Sequence, residues 1–311
     1  LGECIVQDSI VLAARISAQE ASTFSAEQGL STLKQIEFNL PIKQLHKLWD
    51  LFQLNDFAIR ADYHRVTKNR TSSPIADSNK VIGSQLFIEA GAKVTCSILN
   101  TETGPIYIGK DAEVMEGCIL RGPIALGKNA VLKMGAKIYG ATTIGDGCKV
   151  GGEVNNSLFF ANSSKAHDGF IGNSVIGEFC NMGADTNNSN LKNNYEEVKL
   201  WSEPLERFEK TGLLFCGLIM GDHSKCGINT MFNTGTVVGV SCNIFGAGFP
   251  RNFIPSFTWG GPSGITEYQL AKALTTASAV FARRNLLLED VDQKLLSAVF
   301  EITKVQRNSL Q

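Results

Sequence analysis

The sequence lacks the features that mark several large classes of protein. Its 311 residues carry 29 Lys and Arg against 30 Asp and Glu, so there is no excess of positive charge for binding nucleic acid. No apolar run reaches the length of about 18 residues that a membrane-spanning helix needs. No two cysteines have the C-x-x-C spacing of common zinc sites. We therefore predict no nucleic acid partner, no membrane insertion and no metal.

The sequence does have a period of six. Between Ile108 and Val150 an aliphatic residue stands at every sixth position, in the series Ile108, Val114, Leu120, Leu126, Leu132, Ile138, Ile144 and Val150. Four positions after each member comes a second, mostly smaller series: Ala112, Cys118, Ile124, Ala130, Ala136, Thr142, Cys148 and Val154. A six-residue period is typical of a parallel β-helix, in which each repeat is a short strand and a turn. We expect both series to fill the interior.

A longer period of eighteen lies on top of the first. Gly109, Gly127 and Gly145 recur at this spacing, as does Gly117 with Gly135. Eighteen residues are three hexads, which predicts coils with three flat faces and a glycine at the same corner of each coil. Corners favour glycine because they need either a positive φ or a close approach of two backbones.

The cysteines fit the same pattern. Cys118, Cys148, Cys180 and Cys242 fall at the small inward position of a hexad, where cysteine behaves as a compact apolar residue. Such positions favour reduced thiols, and we expect a cytoplasmic protein.

The breaks in the period divide the chain. We predict three segments: residues 1–76, 77–262 and 263–311. The first is expected to be the C-terminal part of a nucleotidylyltransferase-like domain with linker helices. The second is expected to be the β-helix, with loop excursions at 155–170 and 187–213, and the third to contain C-terminal helices. The fold class is therefore mainly β, with an α/β remnant before the β-helix and helices after it.

The candidate catalytic residue is His167, which lies where the hexads are interrupted. Lys165 and Asp168 flank it, and polar residues cluster nearby in sequence, among them Asn155 and Asn190. Histidine suits proton transfer because its ordinary pKa of about 6.5 is close to neutral pH. His223, in Gly221-Asp222-His223-Ser224, is the weaker candidate, because it occupies a hexad corner.

The residues around His167 also resemble a known family. The run Ser164 to Asn173, with Val175-Ile176-Gly177-Glu178, Asn181 to Thr186 and Ser189 to Lys192, is similar to the acetyltransferase half of bifunctional sugar-1-phosphate nucleotidylyltransferases. These include the N-acetylglucosamine-1-phosphate uridylyltransferases and homologues of the glucose-1-phosphate thymidylyltransferase type. The resemblance covers roughly residues 80–250. Two departures are Asn155, near which the family has a lysine, and Phe170, where it has a tyrosine.

The resemblance implies a left-handed parallel β-helix that assembles as a homotrimer, with acetyl-CoA bound between subunits. It implies that His167 removes a proton from the amine of the acceptor and that Asn190 binds the sugar or acyl group. We add Lys165 and Asn155 as candidate substrate-binding residues. The acceptor is expected to be a sugar phosphate or a nucleotide sugar.

Three functions remain open at this stage. The leading one is a CoA-dependent acetyltransferase of sugar-nucleotide biosynthesis that acts on an amino-sugar phosphate or nucleotide sugar. The second is sugar-1-phosphate nucleotidylyltransferase activity, thymidylyl or uridylyl, in an upstream domain, with the β-helix as a trimerisation scaffold. A glycine-rich phosphate-binding turn for that activity is not found in residues 1–74. The third is a structural or regulatory binding module.

Overall fold

The computed structural model describes residues 2–8, 10–23 and 33–308. The chain divides into two units, Leu1–His46 and Lys47–Gln311. The first unit contains strands β1 (Glu3–Gln7), β2 (Ile10–Arg15) and β3 (Lys34–Glu37) and helix α1 (Ala18–Thr23). Strand β2 pairs antiparallel to β1, and β3 pairs parallel to it. The first unit is thus a small α/β element, and the predicted segment boundaries stay predictions.

The second unit begins with helices α2 (Asp50–Gln53) and α3 (Asn55–Thr67). The strands that follow are β4 (Lys80–Ile82), β5 (Leu86–Ile88), β6 (Lys93–Val94), β7 (Ile98–Asn100), β8 (Ile106–Ile108), β9 (Glu113–Val114), β10 (Ile119–Arg121), β11 (Ile124–Leu126), β12 (Val131–Leu132), β13 (Lys137–Tyr139), β14 (Thr142–Ile144), β15 (Lys149–Val150), β16 (Glu153–Asn155), β17 (Leu158–Phe159), β18 (Ser164–Lys165), β19 (Phe170–Gly172), β20 (Val175–Ile176), β21 (Asn181–Met182), β22 (Asn187–Asn188), β23 (Lys199–Ser202), β24 (Arg207–Lys210), β25 (Leu218–Met220), β26 (Lys225–Cys226), β27 (Met231–Phe232), β28 (Thr236–Val238), β29 (Asn243–Ile244), β30 (Phe253–Ile254), β31 (Thr258–Gly261) and β32 (Gly264–Glu267). Helices α4 (Leu270–Ala282), α5 (Asp290–Ile302) and α6 (Lys304–Asn308) complete it.

Most of these strands stack in parallel on three faces of a coil. The first face contains β4, β7, β10, β13, β16 and β19 in that order. The second contains β5, β8, β11, β14, β17, β20, β25, β28 and β30, and the third contains β6, β9, β12, β15, β18, β21, β26, β29 and β31. As far as β21 every third strand returns to the same face. The predicted fold class, a parallel β-helix of hexapeptide repeats, is confirmed.

The length of a coil changes along the chain. Leu120 pairs with Ile138, eighteen residues later, as the sequence predicts. Val150 pairs with Lys165, only fifteen residues later, so the coil closes even where the hexad count breaks. Ile176 pairs with Met220, forty-four residues later, because a long segment leaves the coil between them. That segment contains the antiparallel hairpin of β23 and β24.

The interior is filled by the two inward series. Every member of both series, from Ile108 to Val154, has a relative exposure of 0%. Burial of each large aliphatic side chain contributes about 1.5–3 kcal/mol. The four inward cysteines are also buried, and none of the cysteines among the described residues is in a disulfide. The hydrophobic effect therefore acts along the whole length of the coil.

Other elements cover parts of this coil. The Asn55 side chain of α3 donates to the Ala141 carbonyl oxygen at 2.7 Å and accepts from the Thr143 hydroxyl at 2.8 Å, which ties α3 to the second face. At the opposite end β32 pairs antiparallel with β31, so the last strand of the third face has a partner. Helices α4 and α5 pack around the fully buried Phe257. Across the described residues, no helix has the length and apolar character needed to cross a membrane.

Two corner glycines should respond differently to alanine. At Gly127 an added Cβ would lie 2.6 Å from the Asp146 nitrogen of the next coil, so the backbone must move. At Gly135 nothing lies within 4 Å of the added Cβ, and the only strain is its φ of +72°. We expect Gly135→Ala to lower the free energy of unfolding by about 1–2 kcal/mol and Gly127→Ala to lower it by roughly 3 kcal/mol or more. Urea denaturation of both variants measures the difference, and equal losses would contradict it.

Candidate functional site

An ammonium group lies inside the coil, beneath the turn that carries His167. Lys165 occupies the inward position of β18, level with Val150, and its relative exposure is 0%. Its Nζ donates to the carbonyl oxygens of Gly151 at 3.1 Å, His167 at 2.7 Å and Asp168 at 3.1 Å. An ammonium has three N–H donors, so all of them are used. Hydrogen bonds from a side chain inside the coil therefore stabilise the turn between β18 and β19.

Burial sets the charge state of this group. Removal from water lowers the pKa of Lys165 to about 8, although the carboxylates of Asp168 and Asp185 act in the opposite direction. The same side chain was a candidate for substrate binding. In the structure its amine instead donates hydrogen bonds to backbone carbonyl oxygens at the His167 turn.

His167 itself points outward. Its side chain is exposed, at the corner where the chain passes from the third face to the first. A cavity of about 390 Å³ lies beside it, lined by Lys133, Met134, Gly151, Gly152, Ala166, His167, Asp168, Ala184 and Asp185. Most of these residues are the corner residues of successive coils. The imidazole therefore stands at the rim of an open depression, on a backbone fixed by Lys165.

A second polar group lies at the other end of β19. The Asn190 amide donates to the Asn173 side-chain oxygen at 2.8 Å. A Cβ added to Gly172 would lie 2.7 Å from the Asn190 Nδ2 and 2.6 Å from the Phe170 Cζ, so both side chains rest against this glycine. The ring of Phe170 thus extends along the outside of the first face from the His167 end towards Asn190.

Asn155 belongs to the same corner as Asn190. It is half-buried and pairs with Gly172 in the first face, and its backbone carbonyl oxygen accepts from the Asn173 backbone N–H at 3.0 Å. The structure therefore brings Asn155 and Asn190 to one corner and His167 to the other. The three residues of β19 separate the two corners by about 10 Å, at roughly 3.3 Å per residue.

A larger cavity was not foreseen from the sequence. It has a volume of about 920 Å³ and lies beside the hairpin of β23 and β24, with Lys192, Lys199 and Arg251 among its cations. Trp201 stacks on Phe253 at 4.2 Å between ring centroids. One signal of it is present in the sequence, the departure of residues 187–213 from the hexads. It could not show that this segment folds back onto β30.

His223 has a different environment from His167. Its ring stacks on Phe179 at 5.2 Å and on Phe281 of α4 at 5.9 Å. Burial lowers the pKa of His223 to about 4, and nearby Lys225 acts in the same direction. His223 is therefore a neutral packing residue at neutral pH, and it holds α4 against the corner between the second and third faces.

Comparison with known proteins gives one sequence match. Residues 1–71 match the family described as sugar nucleotidyl transferase. No curated protein matches the chain. The match covers less than a quarter of the chain, so it is a similarity of the N-terminal segment alone.

Several solved structures are similar to this one. The UDP-N-acetylglucosamine acyltransferase from Campylobacter jejuni is 18% identical, with 73% of this chain and 83% of that chain covered and a TM-score of 0.34. The polySia-specific acetyltransferase NeuO is 13% identical, with coverage of 61% and 82% and a TM-score of 0.30. AntD, an N-acyltransferase from Bacillus cereus in complex with dTDP and 3-hydroxybutyryl-CoA, is 12% identical, with coverage of 66% and 91% and a TM-score of 0.29. At these values the likeness carries no argument about activity.

The buried ammonium predicts a pH dependence of stability. The pKa of Lys165 is about 8 in the folded chain and 10.5 in the reference state. Between these two values the unfolded chain binds more protons than the folded one, so stability must rise with pH in this window. We expect the free energy of unfolding of the wild type, relative to Lys165→Met, to increase by up to about 3 kcal/mol from pH 8 to pH 10.5.

Chemical denaturation of the two proteins at several pH values measures this increase. Lys133→Met, which removes a lysine at the neighbouring corner, is the matched control and should show no such rise. A constant difference between wild type and Lys165→Met would mean that burial does not lower the pKa of Lys165 below its value in the unfolded chain.

Proposed function

We propose that the chain is a transferase of sugar-nucleotide metabolism whose β-helix moves an acyl group from a coenzyme A thioester to an amine. The acceptor is an amino-sugar phosphate or a nucleotide sugar. The observation that carries this proposal is the placement of His167: it is exposed at the rim of a cavity, on a turn that Lys165 anchors from inside. The match of residues 1–71 to sugar nucleotidyl transferases supports the substrate class.

In this proposal His167 acts as the general base. Its imidazole takes a proton from the acceptor amine while the amine nitrogen attacks the thioester carbonyl carbon. The C–N bond forms, the C–S bond breaks, and the departing thiolate recovers the proton from the imidazolium. The products are an amide and a free thiol, so atoms and charge balance. Lys165 is a positioning residue, because it contacts the backbone of the turn and not the acceptor.

The acceptor would lie across the first face. His167 at one end and Asn190 at the other are separated by about the length of a phosphorylated monosaccharide, and the ring of Phe170 forms the surface between them. The Asn190 amide offers both donor and acceptor groups to sugar hydroxyls. Asn155 completes the polar end.

The acyl donor would lie along the corner that carries His167. A second depression of about 590 Å³ continues this corner on later coils and shares Asp185 with the first. Its lining includes Gly246, Gly248 and the exposed side chain of Ile228. Small and apolar residues in a row suit the slender pantetheine arm of acetyl-CoA, which is the donor we propose.

One alternative has a specific observation in its favour. The match of residues 1–71 to sugar nucleotidyl transferases also favours nucleotidyl transfer, with the β-helix as a scaffold for assembly. The two functions differ in one property of the β-helix: coenzyme A binding belongs to the first and is not required by the second.

Substitution of His167 tests the chemical step. We expect His167→Ala to lower the rate of thiol release from acetyl-CoA with an amino-sugar 1-phosphate roughly 10²–10⁴-fold, because the amine loses its proton acceptor. Folding should be retained, since the side chain is exposed. His64→Ala removes an exposed histidine from α3 and is the control. Equal rates for wild type and His167→Ala, on an acceptor that wild type acylates, would exclude this role.

Assembly is tested separately. We expect a homotrimer, because flat faces of the coil expose apolar side chains such as Ile98 and Ile119, which are 42% and 49% exposed. Light scattering should then give three times the 33.7 kDa mass of one chain. The mass of a single chain at micromolar concentration would contradict the trimer and the placement of the donor between subunits.

A further inference from the structure

A cavity on the third face has a different chemical character from the cavities described above. It has a volume of about 490 Å³ and lies between the outer surface of that face and the C-terminal end of α4. Four cations line it, and its lining contains no Asp or Glu: the cations are Lys149, Lys225, Arg283 and Arg284. The whole chain has a net charge of −1, so this concentration of positive charge is local.

The fold places these groups in a fixed array. Lys149, Ser164, Asn181 and Lys225 occupy the same outward position on four successive strands of the third face. Adjacent strands are about 4.8 Å apart, so the row spans roughly 14 Å. The row presents two ammonium groups with a hydroxyl and an amide between them.

Helix α4 closes the other side. Arg284 donates to the carbonyl oxygens of Gly147 and Asn162, and Phe281 stacks on Phe179 at 4.3 Å. These contacts pin the end of the helix over the corner and set Arg283 next to the row of the third face. Some of the arginine charge offsets the negative end of the helix dipole. The two lysines have no such role.

Among the four cations, Lys225 is a lysine that burial removes from water without an acidic partner in the cavity lining. Burial lowers the pKa of Lys225, and its Nζ donates to the His223 carbonyl oxygen at 2.7 Å. Lys165, the other lysine removed from water, fills all three donors with carbonyl oxygens. A partly buried ammonium without an acidic partner is destabilising unless an anion offsets it.

The acids of the adjoining corner do not supply that anion. Asp146, Glu178 and Asp222 lie at the adjoining corner, outside the cavity lining. The Asp146 carboxylate accepts from the Lys128 backbone N–H, and the Asp222 carboxylate accepts from that of Glu178, both at 2.8 Å. Lys149 and Arg283 are exposed and have no ion pair among the described residues.

We propose that this cavity binds a diphosphate group. Arg283 can hold phosphate oxygens in a bidentate manner, Arg284 keeps three of its five N–H donors beyond its bonds to Gly147 and Asn162, and the two lysines add point charges. The cation count exceeds what one monophosphate requires and suits two linked phosphates. The diphosphate can belong to free pyrophosphate or to a larger molecule such as coenzyme A. This site is separate from His167 and does not depend on acyl transfer.

Calorimetric titration of the full chain with pyrophosphate tests the site. The variant Lys149→Met/Arg283→Met removes two cations whose side chains make no hydrogen bond among the described residues, so the fold should persist. We expect it to weaken pyrophosphate binding at least tenfold, and Lys225→Met to weaken it as well. Lys93→Met/Arg121→Met removes the same charges at exposed positions outside the cavity and should have little effect. His167→Ala should leave pyrophosphate binding unchanged.

Competition identifies the source of the diphosphate. Displacement of pyrophosphate by coenzyme A, in the wild type, would assign the site to the diphosphate of that molecule. Independent binding of the two would assign it to free pyrophosphate. Absence of pyrophosphate binding by the wild type, or equal weakening by both double variants, would overturn the proposal. Neither result bears on the role of His167 as a general base, because that role is measured by thiol release.

Discussion

The structure depends on the narrow interior of a three-faced coil. Each hexad sends its side chains into a space that its neighbours above and below also fill, and the coils are joined by backbone hydrogen bonds between parallel strands. A large residue and a smaller one therefore mostly alternate, as Leu120 and Cys118 do. Close packing favours this alternation, because the interior has little room to absorb a misplaced side chain. Side chains at the corners point away from the interior, so this packing constraint does not apply to them.

This constraint explains which parts of the fold could be predicted. Between Ile108 and Val150 the inward residues return every six positions, so faces, corners and register all follow from the sequence. Beyond Val150 the coils contract to fifteen and then seventeen residues, as in the pairings of Val150 with Lys165 and of Val154 with Ile171. A fixed period cannot detect coils of changing length. The segment 155–170 looks irregular in sequence, yet its strands β17 and β18 pair in the coil.

The candidate site was predictable only in part, for related reasons. His167 lies at a corner, where the residue type is not constrained by packing inside the coil. The polar residues near it in sequence indicated a functional role. The contact of Lys165 with the backbone of the His167 turn could not be predicted. Where the repeat is broken, the sequence does not show whether a lysine points into the coil or out of it. The separation of His167 from Asn190 could not be foreseen either. Both lie close to β19, but only the three-dimensional path of the chain shows that they are at opposite ends of it.

The buried Lys165 bears on the choice between an active site and a scaffold. On the neighbouring coils the corresponding inward positions are Val150 and Met182, which are apolar and buried. An aliphatic residue at 165 would continue that column of apolar side chains. It would also avoid the removal of a charge from water, which costs several kcal/mol per ion. A coil that served only to assemble subunits gains nothing from the ammonium. If the coil must instead hold the backbone around His167 in a single conformation, the ammonium contributes three hydrogen bonds. Two go to carbonyl oxygens of the His167 turn and one goes to Gly151 on the preceding coil. The energetically unfavourable residue is thus placed directly beneath the group proposed to transfer the proton, which favours a catalytic corner over a purely structural one.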